Sequence, residues 1–135
     1  MTSVDDCRLL DLRRIPRPEG AITPLEVGVD VPFDIERVYY LYDIPAGAAR
    51  AGHAHHELEQ VFVCIMGSFT MTLKDGARVR RLDLNRGHVG LYVPRLIWRE
   101  LDNFSGGSIC IVFASAHYDE ADYIRDYREF EALKT

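Results

Sequence analysis

The chain has 135 residues, which is enough for one domain with a substantial hydrophobic core. Hydrophobic residues make up 47% of the chain and charged residues 27%, the composition of an ordinary globular protein. The formal net charge of −5 argues against a nucleic-acid-binding protein, which needs a basic surface. No apolar stretch reaches the roughly 18 residues of a membrane span.

The first half of the chain predicts short extended segments. A strand is expected over 7–13, and 21–26 is a short extended piece because the residue before a proline avoids the helical region. Residues 35–42 form a strongly β-prone run. Alternation along that strand places Arg37 and Tyr39 on the same face.

A histidine-rich stretch follows, with three of the five histidines at positions 53, 55 and 56. Successive side chains of a strand alternate between its faces, so His53 and His55 lie side by side and His56 points the other way. Neutral histidine both ligates metals and transfers protons near neutral pH, which leaves two functions open for this pair. The structural alternative is an exposed polar hairpin end.

The second half predicts further short strands, over 58–66, 68–73, 79–84, 89–93, 97–101 and 108–113. Asp75-Gly76 is a strong signal for a hairpin turn between two of them. Repeated short strands separated by turns are typical of an antiparallel sandwich or barrel, so the expected fold class is all-β.

The C-terminal segment predicts an α-helix over about 119–134. Asp119 suits its N-cap and Lys134 its last turn. We expect this helix to lie on the outside of the barrel or on a partner subunit, and assign it no chemistry. Its apolar stripe, at three- and four-residue steps, consists of Tyr123, Ile124, Tyr127, Phe130 and Leu133.

The cysteines and the N-terminus bear on location. The chain has three cysteines, Cys7, Cys64 and Cys110, an odd number, and they are widely spaced. They are therefore expected to be buried, unpaired side chains in a reducing compartment. The first residues have neither the basic nor the apolar region of a signal peptide. A cytoplasmic protein is expected.

The histidine stretch resembles the first motif of the cupin superfamily, which consists of small jelly rolls. That motif is a glycine, five residues, His-x-His, an acidic ligand and a second glycine. Gly47 and Gly67 frame His53 and His55 at this spacing, and the acidic-ligand position falls on Gln60. The resemblance implies a cupin double-stranded β-helix, a jelly roll in one domain over 1–135.

The second cupin motif matches at Gly87, Pro94 and Asn103, but its histidine position holds Arg99. A guanidinium has no lone pair to give a metal and repels a divalent cation. Glu59 could replace Gln60 as a ligand if the preceding turn slipped by one residue, but Arg99 would still stand in the site. We therefore expect no bound metal, which frees the two histidines for proton transfer.

Further motifs narrow the resemblance to one family, the dTDP-sugar 3,4-ketoisomerases, also called WxcM-like cupins. The match runs from about residue 25 to residue 130. It is carried by Pro-Phe-Asp-Ile-Glu-Arg-Val-Tyr-Tyr at 32–40, Arg50, His53-x-His55, Leu58-x-Gln60, Val-Gly-Leu-Tyr-Val at 89–93, Trp98-x-Glu100, Phe104-Ser105, Ala114-Ser115, Tyr118-Asp-Glu-x-Asp-Tyr-Ile-Arg125 and Tyr127.

The resemblance implies an isomerase that converts dTDP-4-keto-6-deoxyglucose to its 3-keto isomer, in the biosynthesis of deoxyamino sugars, without metal or cofactor. It also implies a homodimer that exchanges β-strands, and a catalytic set formed by His53, His55 and Tyr39. Well-known members have histidine between Trp98 and Glu100, where this chain has Arg99. That departure bears on the exact substrate more than on the reaction class. The sequence does not say which face of C4 is protonated, so the galacto or gluco configuration of the product stays open.

Six further residues are candidate substrate contacts: Arg37, Arg50, Gln60, Tyr92, Trp98 and Arg99. Arg37 and Arg50 would bind the diphosphate. Arg99 would stabilise the developing oxyanion or bind the diphosphate. Tyr92 and Trp98 are either core residues or walls that stack on thymine.

Three other functions remain open at this point. A metal-dependent cupin enzyme would hold a stoichiometric ion. A dTDP-sugar 3,5-epimerase would exchange hydrogen at C3 and C5 without relocating the ketone. A non-catalytic cupin would bind the sugar nucleotide without turnover.

Overall fold

The computed structural model describes residues 1–50 and 52–135. Over these residues the chain forms ten strands, one α-helix and two 3₁₀ turns, Val4–Asp6 and Glu120–Asp122. In chain order the elements are β1 Arg8–Asp11, β2 Arg37–Leu41, β3 Arg50–His55, β4 Gln60–Met66, β5 Phe69–Lys74, β6 Val79–Leu84, β7 Val89–Val93, β8 Trp98–Asp102, β9 Ile109–Ala114, β10 Tyr123–Ile124 and α1 Tyr127–Lys134.

The strands form two five-stranded sheets. The first has the order β1-β7-β4-β9-β2 and the second the order β10-β3-β8-β5-β6, and neighbouring strands are antiparallel. The main core lies between the sheets, since it joins Phe62, Leu91 and Val112 of the first to Met71 and Leu101 of the second. Two packed antiparallel sheets confirm the expected jelly roll.

The strands of the second half match their expected positions within two residues. The turn at Asp75-Gly76 joins β5 to β6 as expected, and Gly76 has a φ of 92°, a conformation that other residues adopt with strain. The early segments are shorter than expected. The strand expected over 7–13 is only four residues long, and Ile22 makes a single bridge to Ile15.

The prediction of a helix over 119–134 is wrong for the first half of that range. Asp119 caps a 3₁₀ turn instead, and its side chain accepts a hydrogen bond from the Ala121 amide. Tyr123 and Ile124 then form β10, which pairs with β3 and places Tyr123 opposite His55. The α-helix begins only at Tyr127. The free edge of β3 offers backbone partners that the local pattern cannot reveal, and it draws the segment into the sheet.

The helix α1 packs on the outer face of the second sheet. Phe130 is completely buried, and its ring and that of Tyr127 contact Trp98 at 5.8 and 5.1 Å. Lys134 donates hydrogen bonds to Thr2 and to the Leu96 carbonyl, so the two ends of the chain meet here. No helix of the described residues is long and apolar enough to cross a membrane.

Candidate active site

The histidine pair lies on one face of β3, as the alternation predicts. The ring centroids of His53 and His55 are 5.0 Å apart, and the rings meet edge to face at 89°. Ala54, between them, is buried on the opposite face against α1 and Trp98. His55 is only 1% exposed, whereas His53 is half-buried.

His55 contacts an aspartate from the C-terminal segment. Its Nδ1 lies 3.1 Å from Oδ2 of Asp122, and its Nε2 is buried without a hydrogen-bond partner among the described residues. The ring of Tyr123 covers His55 at 4.4 Å. Burial, reinforced by the charge of Arg99, lowers the pKa of His55 to about 2, so the ring is neutral at neutral pH.

A second group of side chains forms a buried hydrogen-bonded chain. Arg99 is 0% exposed, and its Nη1 donates to Gln60 Oε1 at 2.5 Å, while Gln60 Nε2 donates to the Tyr39 hydroxyl at 2.9 Å. A guanidinium only donates, so the amide oxygen of Gln60 must face Arg99 and its nitrogen must face Tyr39. The proton of Tyr39 is therefore left for another acceptor.

Burial sets the charge state of this chain. It lowers the pKa of Arg99 to about 10, and the guanidinium is therefore still charged at neutral pH. Burial also raises the pKa of Tyr39, while its hydrogen bond from Gln60 acts in the opposite direction. The hydroxyl of Tyr39 is thus protonated and able to donate.

Two cavities that share Arg37 and Tyr123 adjoin these groups. Cavity A, of about 590 Å³, is lined by both of these and by Tyr39, Leu41, Ala49, Arg50, His53, Phe62, Leu101 and Arg125. Cavity B, of about 460 Å³, also receives His55 and Asp122. The rest of its lining comes from 33–34, 57–59, 115–117 and Asp119. Both lie within the range of small-molecule sites.

Cavity A is rich in positive charge. It receives Arg37, Arg50 and Arg125, and guanidinium groups suit a diphosphate. Arg125 stacks on Tyr123 at 4.2 Å and makes two hydrogen bonds, at 2.7 and 2.9 Å, to Glu120. This arrangement can bind a nucleotide diphosphate next to a histidine and a tyrosine.

The metal-ligand pattern is incomplete at the same place. Among residues 1–50 and 52–135, no group of three His, Cys, Asp or Glu side chains is arranged to hold a metal ion. Arg99, which holds the histidine position of the second cupin motif, lies directly opposite His53 in the β3–β8 pairing.

Comparison with known proteins assigns the family. The family described as FdtA, WxcM-like, C-terminal, matches residues 5–135. The chain belongs to this family. It is 39% identical over 124 residues to a TDP-4-oxo-6-deoxy-alpha-D-glucose-3,4-oxoisomerase from Aneurinibacillus thermoaerophilus, a match covering 92% of this chain and 89% of that protein.

Solved structures of similar proteins agree with the fold. The WlaRB TDP-quinovose 3,4-ketoisomerase from Campylobacter jejuni is 43% identical, with a TM-score of 0.91 over 94% of this chain and 98% of that one. A histidine-to-asparagine mutant of QdtA, the 3,4-ketoisomerase from Thermoanaerobacterium thermosaccharolyticum, was solved with TDP-4-keto-6-deoxyglucose. It is 38% identical, with a TM-score of 0.92 over 95% and 93% of the two chains.

Several residues expected at this family's site lie together. His53, Tyr39, Arg37 and Arg50 all line cavity A. Gln60 and Arg99 line neither cavity, and reach cavity A only through Tyr39. The expectation that Arg99 contacts a substrate oxyanion or diphosphate therefore has no support in this geometry.

Tyr92 and Trp98 line neither cavity. Trp98 precedes Arg99 on β8, so alternation turns its side chain outward to α1. Tyr92 points outward from the first sheet, where it donates to Glu59 Oε1 at 2.5 Å. Both occupy packing positions, which is the alternative that the sequence left open for them.

Three residues at the site were missed by the sequence analysis: Asp122, Tyr123 and Arg125. All lie in the segment that was expected to be an outer helix. The motif from Tyr118 to Arg125, which contributes to the family resemblance, was the available signal, because an outer helix does not need so specific a string of polar and aromatic residues.

Proposed function

We propose that this chain moves the ketone of a TDP-linked 4-keto-6-deoxyhexose from C4 to C3, through an enediol, by proton transfers at His53, His55 and Tyr39. The observation that carries the proposal is that His53 and Tyr39 share a cavity with three arginines. Relatives that are 38%, 39% and 43% identical bear 3,4-ketoisomerase or 3,4-oxoisomerase names, which supports the reaction class.

The reaction is a set of proton transfers. The C3–H bond of a 4-keto sugar is acidified by the neighbouring carbonyl. Its removal, with protonation of the C4 oxygen, gives the 3,4-enediol. Delivery of a proton to C4 and loss of the proton on the C3 oxygen then leave the ketone at C3. The site must therefore supply a base, a group that serves the two oxygens, and stabilisation for charge on oxygen.

Tyr39 is suited to serve a substrate oxygen. Its own oxygen accepts from Gln60, so its proton can be donated into cavity A. When that proton leaves, the N–H of Gln60 and the positive charge of Arg99 behind it stabilise the phenolate. In this proposal Arg99 acts through Gln60 and Tyr39 without touching the substrate.

The two histidines supply the remaining proton transfers. His53 shares cavity A with Tyr39 and is well placed for the proton on C3. His55 is neutral, and its Nε2 is an open acceptor next to the His53 ring. Each such acid–base group typically contributes about 10²–10⁴-fold to the rate.

Arg37, Arg50 and Arg125 are the proposed diphosphate contacts. All three line cavity A, and Arg125 would exchange Glu120 for phosphate oxygens on binding. The proposed chemistry uses no metal or other cofactor, because every step moves a proton and Arg99 stands where a fourth cupin ligand would be.

The decisive experiment is to incubate the protein with TDP-4-keto-6-deoxyglucose in D₂O and to follow the sugar by NMR. A carbonyl that moves from C4 to C3 supports the proposal, and an unchanged spectrum at high enzyme concentration refutes it. Deuterium at C3 and C5 with the ketone still at C4 would indicate a 3,5-epimerase instead. Binding without turnover would indicate a sugar-nucleotide-binding protein.

We also propose a homodimer that pairs through β2. This strand is at the edge of the first sheet, and its outward face carries the exposed apolar side chains Val38 and Tyr40, with Tyr42 just beyond the strand. An unpaired apolar edge is a ready template for a second copy. Light scattering that gives a dimer mass for the wild type and a monomer mass for Tyr40→Asp would support this arrangement, and a monomeric wild type would refute it.

A cytoplasmic location is proposed from the cysteines. Cys7, Cys64 and Cys110 are buried as free thiols, which fits a reducing compartment. Fractionation of the native host tests this location, and recovery outside the cytoplasm would contradict it.

A further inference from the structure

The second 3₁₀ turn ends at Asp122 and places its carboxylate against His55. Oδ2 of Asp122 lies 3.1 Å from Nδ1 of His55, and β10 pairs with β3 immediately beside this contact. A carboxylate from outside the histidine motif is thus placed against Nδ1 of His55. Asp122 was not among the site residues expected from the sequence.

The position of Asp122 is fixed from several directions. Its Oδ1 accepts from the Glu57 amide at 2.8 Å, and its Oδ2 also accepts from the Leu58 amide at 3.2 Å. Its backbone carbonyl accepts from the His56 amide at 3.0 Å. The loop between β3 and β4 is therefore folded around this one residue, and the carboxylate cannot move far from the imidazole.

The contact determines which nitrogen of His55 carries the proton. An ionised carboxylate only accepts, so Nδ1 of His55 must be the donor and Nε2 must hold the lone pair. That Nε2 is buried and makes no hydrogen bond to any described residue. It is therefore the ring atom of His55 whose lone pair is left to take a proton.

We propose that Asp122 is the positioning residue of His55, which holds the ring in its Nδ1–H tautomer and stabilises the imidazolium that forms when Nε2 accepts a proton. This inference rests on the proposed ketoisomerase function. It balances without any co-reactant, because the proton that reaches Nε2 is returned to the sugar and Asp122 neither gains nor loses a proton. Asp122 would thus act on the rate through His55 alone.

The competing explanation is that Asp122 only holds the loop at 56–58. Asp122→Asn separates the two explanations. The asparagine side chain has the shape of aspartate and can still occupy the loop, but it presents either its oxygen or its NH₂ group to His55. Asp126→Asn is the matched control. Asp126 also accepts two backbone amides, at 2.8 and 3.3 Å, but it caps α1 and lines neither cavity.

The first measurement is the ¹⁵N NMR signature of the His55 ring, which reports the protonated nitrogen without any turnover. We expect Nδ1–H in the wild type and in Asp126→Asn, and a signal shifted towards Nε2–H in Asp122→Asn. A wild-type ring that is protonated on Nε2 would overturn the proposal, even if Asp122→Asn failed to fold.

The second measurement is turnover of TDP-4-keto-6-deoxyglucose. In Asp122→Asn, kcat should fall about 10²–10³-fold with KM changed by less than about threefold. In a His55→Asn background the same change should add less than about threefold, because the group it serves is gone. Two results would overturn the proposal. One is a kcat of Asp122→Asn near that of the wild type, and the other is a further loss of about 10²–10³-fold in kcat when Asp122→Asn is added to His55→Asn.

Failure of this inference is distinguishable from failure of the proposed function. A wild-type protein that does not turn over the sugar nucleotide but shows the expected tautomer refutes the function and leaves the Asp122–His55 pairing intact. A wild-type protein that turns over normally with the opposite tautomer refutes the role of Asp122 only.

Discussion

Replacement of the buried guanidinium, Arg99→Met, tests the relay from Arg99 through Gln60 to Tyr39. Methionine has a similar length and no charge, so it fills the space without serving as a donor. The change leaves Gln60 Oε1 without the donor that orients the amide, and it removes the positive charge behind the Tyr39 hydroxyl.

The expected loss of activity follows from the bond that is removed. A hydrogen bond to a charged group contributes roughly 1.5–3 kcal/mol. If that stabilisation is realised when Tyr39 gives up its proton, kcat falls about 10- to 100-fold, since each 1.4 kcal/mol corresponds to about tenfold in rate.

The free energy of unfolding of Arg99→Met should change little, in contrast to its activity. Arg99 is fully buried, and none of the ion pairs among residues 1–50 and 52–135 includes it. Removal of an uncompensated buried cation relieves a desolvation penalty of several kcal/mol, which offsets the hydrogen bonds lost to Gln60 and the Ile97 carbonyl. The free energy of unfolding should therefore change by less than about 2 kcal/mol.

The assay is kcat with TDP-4-keto-6-deoxyglucose at saturation, combined with urea unfolding. Arg81→Met, on the exposed face of β6, is the control for loss of an arginine and should leave both quantities unchanged. If Arg99→Met turns over within about threefold of the wild type, the relay does not contribute to the reaction.

Three further predictions concern the histidines and metals. His53→Asn and His55→Asn should each lower kcat by at least about 10²-fold in the NMR assay, and near-wild-type turnover in both would refute the site. Dialysis against a chelator should leave kcat unchanged, and a loss restored by a metal would contradict the proton-transfer mechanism. Burial lowers the folded-state pKa of His55 to about 2, whereas an unfolded histidine titrates near about 6.5. The unfolded chain therefore takes up the proton first, and stability should fall by up to about 1.4 kcal/mol per pH unit below about pH 6.5. Urea unfolding should show a weaker decline for His55→Asn, and identical declines would contradict the pKa shift.

Local patterns could predict much of this fold and the inner part of the site. The strand alternation that places His53 beside His55 depends only on the geometry of one strand. The hairpin at Asp75-Gly76 depends on two residues. Counting along a known motif gave Arg99 the place of its histidine, and the structure pairs Arg99 with His53 across β3 and β8. Each prediction uses information contained in a few neighbouring residues.

The C-terminal segment could not be predicted in this way. The apolar spacing of Tyr123, Ile124, Tyr127 and Phe130 fits a continuous helix as well as a short strand followed by a helix. The choice is made by the free edge of β3, which lies about seventy residues earlier in the chain and offers backbone hydrogen bonds at His55 and Ala54. Asp122, Tyr123 and Arg125 reach the site only because of that long-range pairing.

Trp98 is a different case, because the sequence contained enough information to place it. Once Arg99 is assigned to the interior of the barrel, alternation along β8 turns Trp98 and Glu100 to the exterior. The structure agrees, since Trp98 packs on α1 and lies against Gly52 so closely that a Cβ there would be 2.5 Å from its indole nitrogen. In this position Trp98 lines neither cavity A nor cavity B.

The position of Arg99 is compatible with the proposed proton transfer in a cupin barrel. A divalent ion at this place would supply positive charge, but it would also occupy the lone pairs of His53 and His55. A guanidinium supplies positive charge without using any lone pair, because it only donates. Gln60 connects Arg99 to the Tyr39 hydroxyl by hydrogen bonds, while His55 remains a neutral base. Under the proposed mechanism, Arg99 on β8 therefore leaves the lone pairs of the two histidines on β3 available for proton transfer.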